Sequence, residues 1–199
     1  MRKLHLQMQM SVDGFVSTGP NDEQKWVTLV WEEIKPYVIG LLDATDTILI
    51  GRKLAVDYIP HWQSVEKKTD EPFHGVAERI CRAKKVVFTK TLDASVWENT
   101  DIATGELTEE VKELKTRNGK DMIVYGGSSF VSALLKERLV DELHFFVNPV
   151  AFGKGEPIFG EMEEWQKLKL IKSPMCQSSF RKFRKATEIP FKLIFKARR

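Results

Sequence analysis

Residues 121–130 read Asp-Met-Ile-Val-Tyr-Gly-Gly-Ser-Ser-Phe. Met122 to Tyr125 is an unbroken apolar run of strand length, which suits a strand buried on both faces rather than one with a wet side. Gly126 and Gly127 break it. From Phe130 the spacing becomes helical: Phe130, Val131, Leu134 and Leu135 share a face, Ser128 or Ser129 is placed as N-cap, and Lys136 and Arg138 fall in the last turn. A strand, a glycine pair and a capped helix in that order aim free backbone N–H groups and a helix dipole at one spot. Two missing Cβ atoms let a ligand approach the backbone there. The joint is a candidate pyrophosphate seat and equally the form of a tight turn. It lacks the third glycine of a G-x-G-x-x-G fingerprint, so a nucleotide reading needs support elsewhere in the chain.

Moving outward, Leu4, Leu6, Met8 and Met10 alternate with polar residues as one face of a first strand, and Ser11-Val12-Asp13-Gly14-Phe15 is its exit turn. Ile34, Tyr37, Val38, Leu41 and Leu42 have helical spacing, with Pro36 tolerable in a first turn. Thr47 to Ile50 forms a second strand, ending in Gly51-Arg52-Lys53 and a short helical piece around Leu54 to Tyr58. Asp70-Glu71-Pro72 starts a helix whose buried stripe is Phe73, Val76, Ala77, Ile80 and Cys81. Lys85 to Thr89 is a third strand, and Thr108 caps a helix carrying Val111 and Leu114 that Asn118-Gly119 closes. Further strands are expected over Glu142 to Val150, Leu168 to Ile171 and Phe191 to Phe195. Strands alternate with helices early and become consecutive late. That order predicts an α/β fold with a mostly parallel central sheet finished by antiparallel strands.

The chain has 199 residues, 42% of them hydrophobic and 30% charged, an ordinary composition for one domain over 1–199. Leu4 to Met10 alternates instead of forming the solid apolar core of a signal peptide, and no later run approaches membrane-spanning length. The expectation is a cytoplasmic protein. Cys81 and Cys176 follow no metal or redox spacing and read as reduced structural thiols. Net charge is +3, divided into +10 from Lys167 to Arg199 and −7 before it. Phenylalanines interleave that basic segment, which raises nucleic-acid binding as a possibility, but a strand with one wet lysine-bearing face has the same composition and is the better reading. The four histidines, His5, His61, His74 and His144, show no paired metal spacing, so no metal is assigned and His144 is read as structural.

Three loops stand at the C-terminal ends of predicted parallel strands, where open α/β sheets bind ligands: Gly51-Arg52-Lys53, Thr89-Lys90-Thr91 and Gly126-Gly127-Ser128-Ser129. Each couples a strand end to the glycine, hydroxyl or basic residues that hold phosphates. Together they could span a dinucleotide.

These loops, with Ser11-Val12-Asp13-Gly14-Phe15, Asp46 to Lys53, Val86 to Thr91, Tyr125 to Phe130 and Asp141-Glu142-Leu143-His144, together resemble the riboflavin-biosynthesis (RibD) C-terminal reductase family, a branch of the dihydrofolate reductase fold. The resemblance covers residues 1 to about 172. It implies a three-layer, dihydrofolate reductase-like domain with an eight-stranded sheet, commonly a homodimer, using NADPH to reduce a small heterocyclic or carbonyl/imine acceptor, as 5-amino-6-(5-phosphoribosylamino)uracil reductase does in riboflavin biosynthesis. Carried over by residue, Gly51, Arg52 and Lys53 hold the cofactor's phosphates, Thr89 and Lys90 meet the adenosine 2′-phosphate, and Gly126, Gly127, Ser128 and Ser129 lie under the pyrophosphate. Val12, Asp13 and Gly14 sit beside the nicotinamide, and Asn148, Pro149 and Val150 beside the substrate pocket. Members often have threonine where this chain has Leu54. The carboxylate that dihydrofolate reductases carry on the first helix has no equivalent around Val38 to Leu42, which argues against folate. Pro174 to Ile189 is longer and more basic than the family's hairpin turn.

Asp13 is the one carboxylate that the resemblance puts near the nicotinamide, and is the candidate proton donor, with water or substrate as the alternative. The competing reading is a non-catalytic dimeric nucleotide-binding module of the same fold, and a true dihydrofolate reductase is a further alternative. On the strand from Glu142, Phe146 alternates onto a face with His144 and Asn148. An aromatic among polar neighbours, with a second aromatic strand at the chain end, predicts a two-fold homodimer through C-terminal strands.

Overall fold

The computed structural model of the protein describes residues 1–19, 22–27, 31–173 and the backbone of 179–185. In chain order the elements are β1 (Leu4–Ser11), β2 (Phe15–Ser17), α1 (Trp31–Asp43), β3 (Thr45–Gly51), α2 (Arg52–Glu66), α3 (His74–Arg82), β4 (Lys84–Phe88) and β5 (Thr100–Ala103). There follow α4 (Leu107–Thr116), β6 (Asp121–Val124), α5 (Ser128–Lys136), β7 (Glu142–Asn148), β8 (Glu156–Pro157), β9 (Leu168–Lys172) and β10 (Ser179–Lys185). Eight strands form one sheet in the order β5-β4-β3-β6-β1-β7-β10-β9, and β2 pairs with β8 in a small antiparallel sheet. The pairs from β5 to β7 are parallel, while β10 runs antiparallel to both β7 and β9.

The central strand is buried on both faces, as its composition requires. Met122 and Val124 pack with Leu4, Leu6 and Leu49 beneath α4 and α5, through Val111, Leu114, Val131, Leu134 and Leu135. Ile123 points the other way, with Ile48 and Phe146 against Ile34, Val38, Leu41 and Leu42 of α1 and Val76 and Ile80 of α3. Met122, Ile123 and Val124 are fully buried, so truncating Met122 or Ile123 to alanine costs about 2–5 kcal/mol through lost transfer energy and a cavity.

Several expectations need correction. Pro36 lies beyond the first turn of α1, and Pro60 lies inside an α2 that runs fifteen residues. Both prolines are exposed, so the carbonyl each leaves without a helical donor can bond to water. The helix expected from Pro72 begins at His74, after a turn. Thr108 is inside α4, whose N-cap is Glu106. The short strands β2, β5 and β8 were not anticipated. β10 occupies part of the segment read as a long turn: Phe180 and Phe183 stand three apart, without the period-two alternation that marks a half-buried strand. The expected strand Phe191 to Phe195 lies outside the described residues.

Phe146 is not left exposed for a partner. It is 1% exposed within the single chain, its ring edge-on to Tyr37 with centroids 6.3 Å apart. Cys81 is a free, half-buried thiol on α3, and Cys176 lies outside the described residues. Among the described residues, no helix is long and apolar enough to cross a membrane.

Candidate nucleotide-binding cleft

Strands β4, β3 and β6 are parallel neighbours, so the loops that leave them emerge side by side at one sheet edge. There they border an open cleft of about 400 Å³. Gly51, Arg52 and Lys53 line it from β3, Thr89, Lys90 and Thr91 from β4, and Gly127 and Ser129 from β6. Its further wall is Gly105, Glu106 and Leu107, which sequence reading missed because β5, the strand that positions them, is short and polar. Phe88 and Phe130, with ring centroids 4.9 Å apart, add an apolar floor.

Two helices begin at this edge. α2 starts at Arg52 immediately after Gly51, and α5 starts at Ser128 immediately after Gly127. Both N-caps are glycines, and neither helix has a side-chain cap hydrogen bond. This corrects the expectation that Ser128 or Ser129 caps α5: the Ser128 hydroxyl instead donates to Glu156 Oε2 at 2.7 Å, tying α5 to β8. The first-turn N–H groups of two helices thus stay available to an external acceptor, with both dipoles favouring an anion.

The glycine pair holds these helices close. The Gly51 N–H donates to the Gly126 carbonyl at 3.3 Å, and the Gly126–Gly127 peptide is cis. Gly126 has φ +149°, and a Cβ there would lie 3.0 Å from Leu54 Cδ2, so only glycine suits the position. Leu54, which replaces the family's frequent threonine, therefore packs under the loop. A Cβ at Gly127 would meet nothing within 4 Å, so the space over it belongs to the cleft.

The cations differ in readiness. Among the described residues, the side chains of Arg52 and Lys53 have no hydrogen bond or ion pair to another group, whereas Lys90 Nζ donates to the Thr104 and Gly105 carbonyls, each at 3.0 Å, and lies 3.8 Å from Glu106. Thr89 Oγ1 accepts the Thr91 N–H at 3.0 Å, which shapes the β4 loop.

The remaining sequence-derived residues stand at the ends of β1, which neighbours β6, and of β7 on its far side, outside the cleft wall. The Val12 N–H donates to the Val150 carbonyl at 2.8 Å and leaves the valine side chain exposed. Gly14, at φ +91°, closes the turn by donating to the Ser11 carbonyl at 3.1 Å. Asp13 accepts N–H groups from Phe152 at 2.9 Å and Gly153 at 2.7 Å. The adjacent Ser11 hydroxyl, with the Gly153 and Phe152 N–H groups, holds its carboxyl below the usual carboxylate range. An exposed carboxylate held ionised has no proton to give near neutral pH, so its evident task is to anchor the 152–153 loop. Asn148 is fully buried and its Nδ2 donates to Gln9 Oε1 at 2.9 Å, joining β7 to β1. Of the three residues expected beside the substrate pocket, Pro149 is exposed and Val150 half-buried.

Known proteins share this fold. The model of the RibD C-terminal domain matches residues 2–180. The protein YyaP of Bacillus subtilis (strain 168), described as uncharacterized, is 29% identical over 173 residues, covering 85% of this chain and 87% of its own length. A putative riboflavin biosynthesis protein from Shewanella sp. PV-4 superposes with TM-score 0.70 at 19% identity, covering 93% of this chain and 99% of that one. Dihydrofolate reductase from Enterococcus faecalis, in a complex with NADP(H), superposes with TM-score 0.57 at 13% identity, covering 93% and 97%. The chain belongs to the RibD C-terminal domain family, and its fold is that of the dihydrofolate reductases.

Proposed function

We propose that the protein is an NADPH-dependent oxidoreductase that reduces a small heterocyclic or carbonyl/imine acceptor, of the kind 5-amino-6-(5-phosphoribosylamino)uracil reductase uses. The observation that carries the reading is the pair of glycine-capped helix N-termini, α2 and α5, opening on a cleft that also holds Arg52 and Lys53. Uncapped N–H groups, free cations and open space over Gly127 suit a pyrophosphate and a further phosphate better than they suit an apolar ligand. When bound, the cofactor would supply hydride from C4 of its nicotinamide ring. The chain's own residues would orient it: the Gly126–Ser129 loop under the pyrophosphate, Arg52 and Lys53 on the phosphates, and Val12 to Gly14 at the nicotinamide end. With Asp13 held ionised, the proton for an imine or carbonyl acceptor comes from solvent or substrate.

Folate is a poor acceptor candidate. The buried positions of α1 are Ile34, Val38, Leu41 and Leu42, and both Glu32 and Glu33 are exposed. Cofactor oxidation measured with pyrimidine, pterin and carbonyl acceptors tests the proposal. Turnover with one of these classes supports it, and NADPH binding without turnover on any would favour a non-catalytic module. We further propose a two-fold homodimer in the cytoplasm, joined through the C-terminal strands. Its support is the outer strand β9, where Leu168, Leu170 and Ile171 are 37%, 53% and 44% exposed on an edge that has no strand partner among the described residues.

A further inference from the structure

At the opposite end of β1 from Asp13, the parallel register pairs His5 with Glu142 and Gln7 with His144, placing His5, Glu142 and His144 on one face of the sheet. Their burial is unusual for such groups: His5 is 6%, Glu142 5% and His144 1% exposed. Their ligand atoms converge. His5 Nδ1 lies 3.1 Å from His144 Nε2, and Glu142 Oε2 lies 3.6 Å from the first and 3.7 Å from the second. Four-coordinate zinc with bonds of about 2.0–2.1 Å separates neighbouring ligand atoms by about 3.3 Å, so small movements of three side chains would place one ion at bonding distance from all.

The groups around these three are what metal-bound imidazoles use. His5 Nε2 faces Asp121 Oδ2 at 3.0 Å, and the hydroxyl of Tyr37 meets His144 Nδ1. Each ring thus has its outer nitrogen engaged and its inner nitrogen turned to the shared point, an arrangement that fixes ring orientation and strengthens the donor. The rings approach that point from different planes, 71° apart. Lys3 Nζ holds the other Glu142 oxygen, Oε1, at 3.1 Å.

We propose that His5, His144 and Glu142 form a binding site for one divalent transition-metal ion, zinc by donor type, with a solvent molecule as fourth ligand. The site stands apart from the nucleotide cleft, and its task is to clamp β1 to β7, with β6 and α1 engaged through Asp121 and Tyr37. Without an ion the same groups form a hydrogen-bonded chain from Tyr37 through His144 and His5 to Asp121. These are the two states that the experiment must separate.

The full chain, stripped with a chelator and desalted, is titrated with cobalt(II) while visible absorption is followed, and its thermal midpoint is measured with and without zinc. The expected result is one equivalent of cobalt with a four-coordinate spectrum displaced by zinc, and a midpoint rise of roughly 5–10 °C at a hundredfold excess over Kd. Both effects disappear in His5→Gln and His144→Gln and persist in His61→Gln, which alters a histidine on α2. No four-coordinate spectrum in the wild type, or uptake that survives both core variants, overturns the proposal. Should the core variants fail to fold, anomalous diffraction from zinc-soaked wild-type crystals decides: an ion between β1 and β7 supports the site, and none there overturns it.

Discussion

In the sequence Arg52 and Lys90 are both candidate phosphate partners, because composition reports charge and not its prior engagements. Lys90 is held by two carbonyls and lies beside Glu106, while Arg52 is uncommitted to any described group, so Arg52 carries more of the expected discrimination. Asp13 shows the same limit. Its place at the end of β1 was legible from Ser-Val-Asp-Gly-Phe, but its role depends on N–H groups of Phe152 and Gly153, about 140 residues on, which no local pattern announces. Cys81 allows a pH-dependent check. Burial, reinforced by Glu66, pushes its thiol up to about 11, so the reactive thiolate is scarce at neutral pH and grows with alkalinity. In a Cys176→Ser background, alkylation followed by intact mass should accelerate about tenfold per pH unit from about pH 7 to about pH 10. A plateau near the ordinary thiol value of about 8.5 would contradict this environment.

The joint of β6 and α5 was readable because an apolar run, a glycine pair and a change of period meet within ten residues. What could not be read was the cap, since Ser128 is diverted to Glu156 on a two-residue strand. That diversion leaves the helix N-terminus open and makes Gly127 testable. A Cβ there meets no protein atom within 4 Å, so Gly127→Val should keep the circular-dichroism spectrum and cooperative melting of the wild type while losing NADPH binding by sterics. Unaltered binding would remove the pyrophosphate from this loop. β10 was illegible for the opposite reason. Its polar and aromatic residues lack the alternation of a half-buried strand, and its place in the sheet comes from pairing with β7 and β9. Pro36 and Pro60 hid the extent of α1 and α2, because each removes a helical hydrogen bond and crowds the preceding turn, a cost that tertiary packing of both helices outweighs.

Topology does what spacing along the chain cannot. It brings loops from β3, β4 and β6 to one edge, which the strand–helix alternation foretold, and it brings His5 beside His144, which no spacing rule foretold. Phe146 is buried within the chain against Tyr37 of α1, so the dimer proposal rests on β9, and deletion from Pro174 would remove β10 from between β7 and β9 rather than trim an interface. Leu170→Glu is the cleaner probe: it should halve the mass measured by light scattering at micromolar concentration with the fold intact, and a wild type already monomeric would end the proposal. A cleft built for NADPH is recognised by the dissociation constants of NADPH and NADH for the wild type and Arg52→Ala, from cofactor fluorescence. One charge-assisted contact to the 2′-phosphate contributes about 1.5–3 kcal/mol, so the wild type should bind NADPH about ten- to a hundredfold more tightly than NADH, and Arg52→Ala should lose most of that preference. Equal constants for the two cofactors in the wild type, or no binding of either, would contradict it.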